Sequence, residues 1–440
     1  MDSQRNENRD SGAEIAANAP LASKANAALG AEAGCQTGNA TSSSSPLAHF
    51  DRMLDRCYEF AEAAKAEGRP IVGIMCEFTP RELILAAGGV PVCLCGGSAE
   101  TIAPAEQYLP ANLCPLIKST FGYFVTTKNP FLNWADLVVA ETTCDGKKKM
   151  FELLGQSKPM YVLELPQKAG DADALERWVA EVHKFKAHLE ARFEVKITAA
   201  KLHEAIQLMN RERRLRRQLA SLMAQENPPL TGRQLLGCKS TISGIEADLC
   251  QYERVYEWCV ANGAQAQSSK SQVEDPQHAG HGSEHPGRSA KPKVRVLLTG
   301  VPLVHGAERV LEIIEGCGAV VVCMENCTGI KPILEDVDLG APDPVRAIAE
   351  KYYHLPCSVM TVNRRRFESL RKLAAQFRPQ CVIELVWQAC LTYDVESFQV
   401  RRLVEEDLRL PYLKVTTDYS EADSARIRAR VEALLEMVRG

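Results

Sequence analysis

The chain lacks a charge bias. Its 52 basic residues face 56 acidic ones, a formal net charge of -4, so no electrostatic footprint for nucleic acid follows. It also lacks any apolar run approaching the roughly eighteen residues of a membrane span. The start, Met1-Asp2-Ser3-Gln4-Arg5-Asn6-Glu7, leads into no apolar stretch of the kind a secretory signal needs. A cytoplasmic protein is expected, with no membrane partner and with thiols kept reduced. No C-x-x-C pair occurs, so the usual local signature of structural zinc is missing. No G-x-x-x-x-G-K-[ST] loop occurs either, so the chain carries no recognisable cradle for nucleotide phosphates. Cysteine itself is abundant, with sixteen residues.

The remaining composition, 45% hydrophobic and 25% charged, is that of a globular protein, and 440 residues suffice for two or three domains. Residues 1–46, rich in Ala, Ser, Asn and Gly, predict a disordered N-terminal tail. Residues 263–293, polar and without apolar period, predict a flexible linker. That linker holds His278, His281 and His285, which suit a solvated segment better than a metal site. Between these stretches, residues 47–170 and 294–440 each alternate short apolar runs with helical patterns, and residues 171–262 read as almost entirely helical. Strands are expected at 70–75, 90–93, 137–141, 160–164, 294–299, 319–324, 381–386 and 412–415. The pattern predicts an α/β protein: two doubly wound, Rossmann- or flavodoxin-like parallel-sheet domains with a helical insert. The arginines at 211, 213, 214, 216 and 217 predict a solvated helix face.

Six cysteines stand where apolar runs give way to loops: Cys76, Cys114, Cys144, Cys327, Cys357 and Cys390. In open α/β sheets, ligands bind beyond the carboxyl ends of the strands. Thiolates gathered there suit an iron–sulfur cluster, whose ligands can be far apart in sequence. Cys114-Pro115 and Cys144-Asp145-Gly146 also open predicted helices, and Thr79 with Pro80 is expected to cap and open the helix after Cys76. Helix N-termini favour the negative charge of thiolate and sulfide. Buried cysteine also fills cores, and residue type alone leaves both roles open for the six. The core role is expected for Cys57, Cys93, Cys238, Cys250, Cys259, Cys317, Cys323 and Cys381. Cys35 lies in the tail, and Cys95 is undecided between core and site.

The run from Gly73 to Ile84, Gly-Ile-Met-Cys-Glu-Phe-Thr-Pro-Arg-Glu-Leu-Ile, resembles the opening motif of the 2-hydroxyacyl-CoA dehydratase D-component superfamily. That superfamily includes benzoyl-CoA reductase subunits and double-cubane cluster proteins. Leu113-Cys114-Pro115-Leu116-Ile117-Lys118-Ser119 and the run from Glu141 to Met150 resemble its next motifs. In the second half, Glu325-Asn326-Cys327-Thr328-Gly329, Leu355-Pro356-Cys357-Ser358 and the run from Leu385 to Cys390 continue the likeness. It covers roughly residues 47–440 apart from the linker. The resemblance implies that Cys76, Cys114, Cys144, Cys327, Cys357 and Cys390 are cluster ligands. Six cysteines resemble the double-cubane group, with an [8Fe-9S] cofactor; the dehydratase alternative implies one [4Fe-4S] cluster with an open iron.

By the same resemblance, the chain is an oxygen-avoiding (anaerobic) reductase. It would take low-potential electrons from a separate ATP-dependent iron–sulfur activator, act on a small-molecule or acyl-CoA substrate, and form a homodimer. The alternatives are a 2-hydroxyacyl-CoA dehydratase subunit, a lyase that removes water through a ketyl radical, and an electron carrier without a substrate. Glu82 and His305 are candidate acid/base groups, though Glu82 also suits the first turn of its helix and His305 a cap or surface position. Lys147, Lys148 and Lys149 read as a solvated helix start or a contact for an acidic partner. Trp387 and Tyr393 are expected to pack around Cys390.

Overall fold

The computed structural model describes residues 45–270 and 292–440. The expected tail up to 44, Cys35 and the linker histidines lie outside the described residues. The helix Glu246–Lys270 runs past the expected linker start at 263.

Among the described residues, eight strands form two sheets. β1 (Ile71–Ile74), β2 (Val90–Cys93), β3 (Leu137–Glu141) and β4 (Met160–Leu163) make the first, in the order β2-β1-β3-β4. β5 (Val294–Gly300), β6 (Ala319–Glu325), β7 (Cys381–Trp387) and β8 (Tyr412–Thr417) make the second, in the order β6-β5-β7-β8. Every pairing between these strands is parallel. The doubly wound α/β architecture expected from the alternating runs is the one observed.

The reason is visible in burial. β1, β3, β6 and β7 are buried at every position. Parallel strands covered by helices on both faces require such unbroken apolar runs. Each fully buried Val, Ile or Leu contributes on the order of 1.5–3 kcal/mol. The edges β4 and β8 are only partly buried, and β8 mixes in Lys414, Thr416 and Thr417. The edge of β2 is covered from the helical insert: Val92 bridges Ile242, and Cys93 N–H donates to the Thr241 carbonyl. Such cover keeps an edge strand from pairing elsewhere.

One apolar cluster includes residues of both sheets, among them Val138 and Leu298. The insert stitches the halves further. Trp178, in the helix Ala174–Arg192, is fully buried, and its indole N–H donates to the Ala349 carbonyl of the helix Pro344–Tyr353 at 3.0 Å.

Two local expectations are corrected. The arginine run on the helix Ala199–Leu222 is not a solvated face. Arg213 is buried against Glu82 and Tyr352; Arg211 pairs with Glu246 and Glu253; Arg217 pairs with Asp336. Of the five, only Arg214 is exposed. Distant carboxylates capture the charges, which no local period announces. Thr79 does not cap the next helix, because its hydroxyl donates to the Glu141 carboxylate of β3. Pro80 takes the cap position, and the helix starts at Arg81.

Candidate functional site

Beyond the carboxyl ends of both sheets lies a cavity of about 1540 Å³, and all six singled-out cysteines line it. The position matches the rule for open α/β sheets. The structure also places Cys93 and Cys95 on this wall. Cys93 is only partly buried, with Arg81 donating toward its sulfur at 3.8 Å, so it is not simply core. Cys95, two residues beyond β2, matches in topology Cys327, two residues beyond β6. Cys144 and Cys390 likewise follow the equivalent strands β3 and β7. The match is incomplete at Cys76, because the chain after β5 continues as Val301-Pro302-Leu303. All described cysteines are free thiols.

By local structure the six thiols fall into two groups of three, each drawn from both halves. Cys114, Cys144 and Cys390 are N-cap residues of the helices Pro115–Val125, Asp145–Leu154 and Leu391–Arg402. The neighbouring Cys390 thiol, together with nearby helix N–H groups, holds the Cys114 thiol below its ordinary value against the opposing effect of burial. The nearness of Cys114, with burial added, pushes Cys390 well up. The cap sulfurs make no full hydrogen bonds to first-turn N–H groups, but they sit within the field of the helix ends.

Cys76, Cys327 and Cys357 lie instead in loops. Burial pushes the Cys76 thiol well up; Lys147 opposes this, and Cys357 and Cys327 reinforce it. Burial likewise pushes Cys327 up to about 12, with Cys357 adding to it. Left alone, Cys76 and Cys327 are neutral thiols. Metal binding would deprotonate them.

Charge is arranged around the loop group. Lys147 turns inward, unlike the exposed Lys148 and Lys149, and its ammonium donates to the Met75 carbonyl at 2.8 Å. Burial would lower the Lys147 pKa, but the sulfurs of Cys76, Cys95 and Cys144 hold it above the ordinary lysine range. Burial would raise Glu77, but Arg81 and Lys239 hold it down to about 2. Burial raises Glu141 to about 7 despite the Thr79 hydrogen bond.

The two acid/base candidates part company. His305 lines the cavity, half exposed, with Nδ1 3.5 Å from Glu308. Glu82 is fully buried, is paired with Arg213 and does not line the cavity; Arg213 and Lys351 overcome the effect of burial and lower its pKa. Trp387 and Tyr393 both line the wall, as expected. Among the residues sequence reasoning missed, Lys239 matters most: its ammonium reaches Glu77 at 3.1 Å and the Cys327 carbonyl at 3.3 Å. No local signal marks it.

Among the described residues, no group of three or more His, Cys, Asp or Glu side chains is arranged for a single metal ion. The six thiols instead line one cavity, with Lys147 and Lys239 beside the Cys76 and Cys327 loops. That donor chemistry fits a polynuclear iron–sulfur group, which takes thiolate ligands and carries negative charge.

The family model for 2-hydroxyglutaryl-CoA dehydratase, D-component, matches residues 76–438. The chain belongs to this family. It is 37% identical over 377 residues to the candidate dehydratase subunit YjiM of Escherichia coli (strain K12), covering 85% of this chain and 93% of that protein. It is 31% identical over 161 residues to the lactoyl-CoA dehydratase subunit beta of Anaerotignum propionicum, covering 36% and 42%. It is 24% identical over 162 residues to a subunit of the benzoyl-CoA reductase of Thauera aromatica, covering 36% and 41%. Membership makes the chain an enzyme of dehydratase or reductase type. No described helix is long and apolar enough to cross a membrane.

Proposed function

We propose that Cys76, Cys114, Cys144, Cys327, Cys357 and Cys390 together hold an iron–sulfur cofactor of the double-cubane [8Fe-9S] type. The protein is then a cytoplasmic reductase that passes low-potential electrons to a small substrate. The observation that carries this reading is that all six thiols, three from each half, line one cavity, three of them on helix N-termini and three in loops. Six thiols suit two linked clusters better than one. When bound, the cofactor supplies electron transfer at low potential, and the protein sets access and charge around it. Lys147 and Lys239 place positive charge beside the sulfurs. His305 at the rim is the candidate proton donor to substrate, whereas Glu82 serves to hold its helix through Arg213.

The electron donor is a separate ATP-dependent iron–sulfur activator, since this chain has no phosphate loop of its own. Exposed Lys148 and Lys149 offer it a basic contact, and a homodimer is the proposed assembly. The test is reduction of the cofactor by activator and reductant with ATP, against the same mixture with a non-hydrolysable analogue. Reduction with ATP alone is expected. Equal reduction in both would remove the ATP-driven mechanism and leave a simple electron carrier.

One observation favours the second reading, an acyl-CoA dehydratase subunit with a single [4Fe-4S] cluster. The cavity, about 1540 Å³, exceeds the roughly 300–1,000 Å³ of ordinary small-molecule sites. Saturable binding of a 2-hydroxyacyl-CoA, with water elimination, would establish that reading instead.

A further inference from the structure

Cys76 sits between two lysine contacts. The carbonyl before it, on Met75, accepts from Lys147 at 2.8 Å. The carboxylate after it, on Glu77, accepts from Lys239 at 3.1 Å. Lys147 rises from the helix that Cys144 caps. Lys239 comes from the helical insert, between the helices Gly232–Gly237 and Glu246–Lys270, and also donates to the Cys327 carbonyl at 3.3 Å. One ammonium therefore joins the Cys76 loop of the first half to the Cys327 loop of the second. Both partners are largely shielded, with side chains 17% and 11% exposed. Charge-assisted hydrogen bonds in such places are roughly twice as strong as neutral ones. Glu77 is fixed in turn by Arg81 at 2.7 Å.

The cap cysteines need no such device, because a helix N-terminus is itself rigid. The loop cysteines have no regular element beneath them. Their relative placement rests on side chains that cross between segments, and a site built from separate loops works only when such supports fix it.

We propose that Lys239 is a positioning residue: it clamps the Cys76 and Cys327 loops across the two halves so that their thiols are gathered before the cofactor arrives. Lys147 secures the same loop from the other side. The proposal deepens the reading that the six thiols share one cofactor, and its test is taken first on cofactor-free protein, where that reading plays no part.

In the reduced, cofactor-free full-length chain, a short bifunctional maleimide is applied and the cross-linked cysteine pairs are quantified by mass spectrometry. The Cys114–Cys390 product serves as internal reference. Lys239→Met is expected to lower the Cys76–Cys327 yield several-fold while the Cys114–Cys390 yield holds, and Lys239→Arg is expected to restore it. On reconstitution with iron and sulfide, Lys239→Met should take up iron more slowly than wild type, and Lys239→Arg should match wild type. An unchanged Cys76–Cys327 yield in Lys239→Met overturns the proposal. So does a parallel fall in both yields, which would assign Lys239 to general stability. If wild-type protein takes up no iron although the cross-linking contrast is present, the clamp stands and the cofactor reading falls.

Discussion

The two thiol groups share a cavity but are built differently. Cys114, Cys144 and Cys390 stand on helix N-termini, where the backbone fixes the side chain's origin and its field favours a thiolate. Cys76, Cys327 and Cys357 stand in loops tied by long-range side chains. Lys239 holds the first two, and Asn363 Nδ2 donates to the Cys357 carbonyl at 2.8 Å. The first trio is therefore positioned by secondary structure and the second by tertiary contacts. Damage to a distant contact should reach the second trio and spare the first.

The largest expected effect comes from the six proposed ligands. Cys144→Ser, Cys390→Ser or Cys327→Ser should lose the cofactor or change its absorption and paramagnetic spectra. Cys238→Ser and Cys259→Ser should not, because those thiols are buried away from the cavity. Equal losses from both sets would contradict the assignment.

Next is Arg366, fully buried and paired with Glu325, Glu384 and Glu396. Glu396 also accepts from Asn363 at 2.7 Å, which links this network to the Cys357 loop. Arg366→Met leaves buried carboxylates uncompensated and should cost about 3–5 kcal/mol in denaturant unfolding of cofactor-free protein. Within the folded fraction, alkylation of Cys357 should accelerate more than that of Cys114. Equal acceleration would erase the distinction between the trios.

The Cys76 loop also predicts two pH dependences of opposite sign. The Glu141 carboxyl is raised to about 7 by burial, so the folded state holds its proton where the unfolded chain has lost it. Its stabilisation is complete below the ordinary carboxyl pKa and is lost as pH rises through about 7, a change of about 3 kcal/mol at one pKa unit per 1.4 kcal/mol. Glu141→Gln should flatten that decline in the unfolding free energy of cofactor-free protein. Glu77 is held down to about 2, so its contribution is present above the ordinary carboxyl pKa and is lost as pH falls toward 2. Glu77→Gln should therefore weaken the protein at neutral pH and narrow its loss in acid. A wild-type stability that is flat from pH 5 to 8 would contradict the Glu141 assignment.

The smallest effect is expected at Arg214, the exposed member of the arginine run. Arg214→Ala should stay within about 0.5 kcal/mol of wild type in thermal or denaturant unfolding. Arg213→Ala, which strands Glu82 in the interior, should cost several times more.

The sequence announced those features that depend on local order. Val-, Ile- and Leu-rich runs located all eight strands, and cysteines near their ends marked the side of each sheet that faces the cavity. Cys114-Pro115 and Cys144-Asp145 announced helix starts because proline and small polar residues act within one turn. What escaped was set by partners far away in sequence. Thr79 has the residue type of a cap, yet Glu141, 62 positions on, takes its hydroxyl. Arg213 looks solvated beside its neighbours, yet Glu82, 131 positions away, draws it inside. Lys239 has no motif at all, and its role exists only once two loops from different halves are adjacent. Cys95 was ambiguous because the equivalence of β2 and β6 is a matter of sheet order, which the linear spacing of cysteines does not express.

Six thiols lining one cavity are proposed to hold one iron–sulfur cofactor. Iron and acid-labile sulfide analysis of protein isolated without oxygen tests this most directly. The double-cubane reading predicts about eight iron atoms per chain with a matching amount of sulfide. About four would favour the single-cluster dehydratase reading, and stoichiometric zinc without acid-labile sulfide would contradict both.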